Sequence, residues 1–368
     1  MGVLPLEGLT VIAIEQAVAA PFATSRLADA GARVIKIERP EGDFARGYDA
    51  VAKGQASYFV WLNRGKESVA LDLSRPDHKA ELARLLEGAD VLVQNLKPGA
   101  LGRLGFGFDR LAADYPRLIT CSISGYGEAG PMAERKAYDL LIQAESGLCS
   151  ITGGPDEPSR VGVSLVDIAT GATAHAAILE ALIRRGIDGR GANIQISMFD
   201  VMADWLTVPL LNHEGGKTPR RLGLAHPSIS PYSVFTCKDG NQILISVQSD
   251  REFAKFAEIF MRKPEMARDP RFATNVARVQ NRAETDAAVA LAFASMTAAE
   301  ATECLIAADV AFASVNDMAG LSDHSQLRRI TVDTPNGEVS YPAPGAVFVG
   351  EPRSYGAVPA LPKVKESA

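Results

Sequence analysis

Within its first forty residues the chain is committed to a parallel sheet. Leu9-Thr10-Val11-Ile12-Ala13-Ile14 is a short apolar, β-branched run of the kind that forms a strand buried on both faces. Pro21 stands at a first helical turn, and the segment to Ala30 reads as a helix stopped by Gly31. Arg33-Val34-Ile35-Lys36-Ile37-Glu38 is then a second strand. Two strands joined by a helix in so short a span form a β-α-β unit, the seed of a parallel sheet.

The alternation continues downstream. Ser68 to Leu73 reads as a strand, Asp77 to Leu86 as a helix, and Ala89 to Asn95 and Leu118 to Ser124 as two further strands. Ligands of open α/β sheets bind beyond the carboxyl ends of the strands. That rule singles out Gln16, Lys36 to Arg39, Asn95 to Lys97 and Ser124 to Tyr126, four polar clusters. Lys36 and Arg39 close one strand, and Lys97 with Arg103 follows another. If adjacent, these ends form a basic rim suited to phosphates. No G-x-G-x-x-G fingerprint follows the first strand and no Walker A sequence occurs, so side chains rather than a glycine cradle are expected to hold the anion.

Helical patterns follow over Asp139 to Leu148 and Ile168 to Arg185, and a linker begins near Val201 to Leu211. From Arg220-Arg221 the texture changes. Pro231 to Cys237, the turn Lys238-Asp239-Gly240-Asn241, and Gln242 to Val247 read as a hairpin, followed by helices rich in Ala, Glu and Arg to about Asp309. The tail beyond about Leu321, with a strand at Ala346-Val347-Phe348-Val349, is expected to return to the first domain. The fold class is therefore α/β: a large parallel-sheet domain from 1–200 and 321–368, a linker at 201–220, and a small α+β domain at 221–320.

With 368 residues, 47% hydrophobic and 22% charged, the chain has material for two cores. Its longest hydrophobic run, around Val161 to Ile183, contains Asp167, His175 and Glu180, so no stretch is expected to span a bilayer. The start, Met1-Gly2-Val3-Leu4-Pro5-Leu6, has no basic and apolar leader pattern, and Leu6 stands where myristoylation needs Ser or Thr. Cys121, Cys149, Cys237 and Cys304 are scattered, with no CxxC pair or Cys/His cluster. They read as the reduced thiols of a cytoplasmic protein without a metal site. A net charge of −6 speaks against a nucleic-acid or membrane-surface partner.

Asp167 is the sharpest single residue. It lies in Ser164-Leu165-Val166-Asp167-Ile168-Ala169-Thr170-Gly171, directly before a helical pattern. One reading is a helix N-cap, for which Asp is well suited. The other is a nucleophile whose charged form the helix end favours. Gly125-Tyr126-Gly127-Glu128-Ala129-Gly130-Pro131 is a loop that lets backbone approach a ligand. Asp139 opens a helix and reads as its cap. His226, one of five histidines, sits in a loop and reads as structural or solvated.

Taken in order, Leu6-Glu7-Gly8-Leu9-Thr10-Val11, Gly31 to Glu38, Asn95-Leu96-Lys97-Pro98-Gly99 and the Asp167 segment resemble the family III CoA-transferases, whose fold is shared by the α-methylacyl-CoA racemases. The resemblance covers Leu6 to about Gly350. It implies coenzyme A, bound as an acyl-CoA substrate, with no metal and no nucleotide redox cofactor. It implies that Asp167 is the catalytic aspartate and forms a mixed anhydride, its cap geometry keeping it ionised. Gln16, Ala17, Gly125, Tyr126, Tyr138 and His226 match positions around the thioester. Lys36, Arg39, Leu71, Asp72, Leu73, Asn95, Leu96, Lys97 and Arg103 fall on the coenzyme A side. The family's architecture is an interlocked homodimer, and it implies that the large domain made from both chain ends is Rossmann-like.

Two departures bear on the reaction. The formate and oxalate transferases carry a long glycine-rich lid, where this chain has the short Arg220 to His226 segment, which counts against oxalate. The racemases carry a His where this chain has Tyr138, a poor base at pH 7, which favours transfer over epimerisation. His226 with Pro231-Tyr232 is most similar to the transferases for itaconate, mesaconate and citramalate. The expected reaction therefore moves CoA between a short dicarboxylic acyl-CoA, such as succinyl-CoA, and a carboxylic acid. Arg46, Arg64, Arg221 and His226 are the cations considered for a distal carboxylate. The alternatives are a 2-methylacyl-CoA epimerase and a non-catalytic acyl-CoA-binding protein.

Overall fold

Residues 4–362 are described in a computed structural model of the chain; the Met1-Gly2 start considered above and the last residues of the tail lie outside them. The described chain divides into two units, one of residues 1–148, 160–210 and 328–368, the other of residues 149–159 and 211–327.

In the first unit, β1 (Thr10–Ile14), β2 (Arg33–Glu38), β3 (Lys66–Ala70), β4 (Val91–Gln94), β5 (Ile119–Ser124) and β6 (Ala192–Ser197) form one parallel sheet in the order β3-β2-β1-β4-β5-β6. Alternate residues of a strand face opposite sides. Val11 and Ala13 accordingly enter one core with Val34, Val91 and Ile119, while Ile12 and Ile14 enter another with Ile35, Leu82 and Leu92. Both faces are covered, which is why the strands read as continuous apolar runs.

Helix α1 (Ala19–Asp29) and the long helix Leu165–Asp188 pack together on one face. Gly171 is what allows it: a Cβ there would lie 2.5 Å from the Ala19 carbonyl oxygen and 2.8 Å from the Phe22 Cβ. By length and composition alone this 24-residue helix could cross a membrane, contrary to the expectation that no stretch is apolar enough. Its Val166, Ala169, Ala174 and Ile178 are buried in the sheet core, which accounts for the apolar composition.

The second unit has an antiparallel sheet β7-β8-β9 of Tyr232–Thr236, Gln242–Ser246 and Ala311–Ser314. Phe235 and Phe260 flank Phe293 in its core, with centroids 5.2 and 4.5 Å from it.

Three expected elements differ. The segment 201–211 is mostly helical, in Met198–Trp205 and Thr207–Glu214, rather than an open linker. The third strand begins two residues earlier than expected, because Lys66 pairs with Val34 at the edge of the sheet. Ala346 to Val349 is not a strand: Val347 and Val349 are exposed and Phe348 lies under the Arg353 guanidinium, 3.8 Å away. The tail instead forms the antiparallel pair Arg329–Val332 and Val339–Pro342.

Candidate active site

Two cavities open along the carboxyl edge of the sheet and share Gln16, Phe44 and Leu96 in their walls. The first, of about 440 Å3, takes Gln16 and Ala17 after β1, Asn95 to Pro98 after β4, Ser124 and Gly125 at the end of β5, and Asp167 from the first turn of the long helix. Tyr48, Tyr58 and Tyr138 also line it. The second, of about 530 Å3, takes Arg39, Leu71, Asp72, Leu73, Leu96 and Arg103. The strand order reverses between β1 and β4, so the cleft lies at the switch point where such sheets hold ligands.

The turn after β1 is strained and tightly held. Ala17 has φ 63°, a left-handed conformation uncommon for a residue with a side chain. Its N–H donates to Asp43 Oδ1 at 3.2 Å. Asn95 clamps the preceding residue, accepting the Gln16 N–H at 3.0 Å and donating to the Gln16 carbonyl at 2.8 Å. Gly125 is required on the opposite wall, since a Cβ there would fall 2.1 Å from the Ala137 Cβ.

Lys36 is corrected by the structure. Strand β2 is buried from Val34 to Glu38, and the Lys36 side chain has no exposed surface. Its ammonium donates to Asp43 Oδ2 at 2.8 Å and stands 3.6 Å from Glu15 Oε1, which Lys66 meets at 2.6 Å. A cation enclosed in this way does not reach a phosphate; it braces the Asp43 carboxylate that holds the Ala17 turn. Burial opposes the Glu15 charge, but the two ammoniums outweigh it and hold Glu15 below the usual carboxylate range. Burial pulls the Lys66 ammonium down to about 8.

Asp167 is not the cap of its helix. Ser164 occupies the N-cap position but its Oγ meets the Tyr58 hydroxyl at 2.9 Å instead of capping the helix, and Asp167 is the third residue of the first turn. The cap comes from elsewhere: Asp139 Oδ1 accepts the N–H of Val166 at 2.8 Å and of Asp167 at 3.2 Å. Gln143, fully buried, donates to Asp139 Oδ2 at 2.7 Å and accepts the Val161 N–H at 2.8 Å. The Asp167 carboxyl faces the cavity on one side and is enclosed by protein on the others. Burial, with the Asp139 charge added, pushes it up to about 7. The expectation that cap geometry keeps it ionised is therefore reversed: a capping carboxylate beside it favours the neutral form. Tyr48 is raised to about 12, by burial first and then by the Asp43 and Asp167 charges.

Tyr126 does not line the cavity. Its hydroxyl donates to Glu145, and Arg135 lies 5.7 Å from its ring centre. His226 belongs to the second unit, where its ring stacks on Tyr232 at 5.2 Å. Three of the other cations considered for a second substrate carboxylate are engaged. Arg64 is buried against Asp29, Arg46 forks onto Glu38 at 2.7 and 2.8 Å, and Arg221 donates to the carbonyls of Ser150, Gly154 and Pro155. Sequence reasoning missed Tyr48, Tyr58 and Arg160: Tyr48 and Arg160 come from irregular segments, and Tyr58 from the helix Ser57–Asn63, too short for its periodicity to mark it. Among the described residues no group of three or more His, Cys, Asp or Glu is placed to hold a metal ion.

A doubly wound parallel sheet with an elongated cleft at its switch point, a poised carboxyl in one part and arginines in the other, defines an α/β enzyme that takes a nucleotide-bearing substrate. The chain belongs to CoA-transferase family III, whose family model matches residues 6–365. Enzymes of this family use CoA thioesters as substrates. The chain is 37% identical over 342 residues to the acetyl-CoA:oxalate CoA-transferase of Acetobacter aceti, covering 92% of this chain and 87% of that one. It is 34% identical over 355 residues to the succinyl-CoA:glutarate CoA-transferase of Mus musculus, covering 95% and 80%. Among solved structures it is similar to a CAIB/BAIF family protein from Brucella suis, with a TM-score of 0.82 and 35% identity over 99% of this chain and 97% of that one.

Proposed function

We propose that the enzyme moves CoA between a short dicarboxylic acyl-CoA of the succinyl-CoA type and a carboxylic acid, through a mixed anhydride on Asp167. The observation that carries this reading is the position of the Asp167 carboxyl, which lines the cavity from the first turn of the long helix and is pushed up to about 7 by burial and the Asp139 charge. The Asp167 carboxylate attacks the thioester carbonyl; the C–S bond breaks, CoA leaves as thiolate, and an aspartyl anhydride forms. The acceptor carboxylate attacks the aspartyl carbonyl and the donor acid leaves. Thiolate then attacks the acceptor's acyl carbon, forming the new thioester and releasing Asp167 as carboxylate. The energy of the thioester is conserved through every step.

In this reading coenzyme A runs along the second cavity, its phosphates near Arg39, Lys97 and Arg103 and its adenosine near Leu71, Asp72 and Leu73. The thioester lies between the Gln16-Ala17 turn and the Gly125 loop, whose backbone faces the developing oxyanion. The dicarboxylate preference is supported by the mouse relative's glutarate activity. The enzyme works in the cytoplasm as an interlocked homodimer; exposed Ile183, Ile187, Trp205 and Val208 support an apolar partner surface, and four unpaired cysteines fit a reducing compartment. Incubating succinyl-CoA with a panel of four- to six-carbon acids and reading the products by mass spectrometry tests the reading. Release of no new thioester, or exchange of the α-proton with solvent without any acceptor acid, speaks for a different reaction.

A further inference from the structure

The substrate cavity carries charges of both signs, its cations being Lys97, Arg135, Lys136 and Arg160. Glu134, Asp139 and Asp167 all contribute to its wall. A substrate with a second carboxylate therefore meets like charge unless a cation stands in the same space. Lys97 and Lys136 offer point charges, and only an arginine offers a planar fork; the two arginines of the wall are Arg135 and Arg160. Arg135 is committed, donating to Glu145 Oε1 at 2.7 Å and covering the Tyr126 ring. Arg160 is exposed and, among the described residues, makes no hydrogen bond or ion pair.

Its position is nevertheless fixed. The buried Gln143 accepts the N–H of Val161, the next residue, and through Asp139 also holds the backbone of Asp167. One amide thus sets the spacing between the Arg160 backbone and the reactive carboxyl. The guanidinium head stays free to fork onto a planar carboxylate, the geometry for which Arg is better suited than Lys.

Resting on the transferase reading above, we propose that Arg160 is the specificity-determining residue that binds the distal carboxylate of the acyl group and of the acceptor acid. It makes the site selective for dicarboxylates over monocarboxylates of equal length.

The test compares glutarate with valerate, which differ in that one carboxylate, as acceptors for the intact enzyme and for Arg160→Met, Arg160→Lys and Lys136→Met. Arg160→Met is expected to lower the glutarate-to-valerate ratio of kcat/KM by about 10- to 100-fold, mainly through the glutarate KM, with partial rescue in Arg160→Lys. An unchanged ratio in Arg160→Met, or the same fall in Lys136→Met alone, overturns the assignment. Glutarate binding by calorimetry to the CoA-loaded enzyme separates the two claims. If no acid is exchanged by the unmodified enzyme, the transfer reading fails; Arg160-dependent glutarate binding then still supports the carboxylate site, and binding indifferent to Arg160 sinks it.

Discussion

The Asp139 carboxylate accepts the backbone N–H of Asp167 at 3.2 Å, so the residue that fixes the reactive acid in place also raises its pKa. Burial is the larger cause of that rise, and the Asp139 charge adds to it. A carboxyl pushed up to about 7, proposed here as the nucleophile, gains its charge near neutrality rather than well below it.

The pH profile of kcat/KM follows from it. Because the carboxylate is the attacking form, kcat/KM should rise with pH and level off above about 7, the value to which burial and Asp139 push Asp167. Asp139→Asn keeps an oxygen for the helix N–H groups and removes the like charge. Its profile should shift to lower pH, yet stay above that of an ordinary carboxylate, since burial is the larger cause. A profile unmoved by Asp139→Asn would show that the capping charge is not felt.

Lys36→Met distinguishes a buried brace from a phosphate ligand. Removing one partner of the Glu15, Lys36, Lys66 and Asp43 cluster leaves buried charge unpaired and should destabilise the protein by about 3–5 kcal/mol in denaturant unfolding. A phosphate ligand would instead give a normal unfolding curve and a raised KM for acyl-CoA.

Gly171→Ala should destabilise by about 1–3 kcal/mol, because its methyl meets the Ala19 carbonyl and Phe22 across the packed helices. Thermal and denaturant melts read this directly. A neutral substitution would mean that α1 and the long helix can separate slightly without loss.

Gly125→Ala places a methyl on Ala137 and must displace the loop that borders the reactive carboxyl. Turnover should fall by about tenfold or more while the melting curve changes little, as misplacement near the reacting atoms costs about that much. Unaltered turnover would remove the loop from the thioester's surroundings.

Much of the first unit was legible because its strands are buried on both faces, which leaves short β-branched runs such as Val11 to Ile14 and Val34 to Ile37. The ends of those strands pointed to Gln16, Asn95, Leu96 and Lys97, all of which line the cleft. The same burial misled for Lys36: a lysine near the end of an apolar run looks like a rim cation, and only the pairing of β2 beside β1 shows it enclosed. The Asp167 environment was illegible for a related reason. Its cap arrives from Asp139, 28 positions away in sequence, and no local pattern records a contact of that range. Ala346 to Val349 imitated a strand because hydrophobic pattern alone does not reveal whether a partner strand exists.

The most direct test is to incubate the enzyme with succinyl-CoA, trap with hydroxylamine, and map the modified peptide by mass spectrometry. A mass-shifted peptide carrying Asp167, formed only with acyl-CoA and lost together with exchange activity in Asp167→Ala, is the expected result. An unmodified Asp167 peptide, with Asp167→Ala still exchanging CoA, would contradict the aspartyl mechanism.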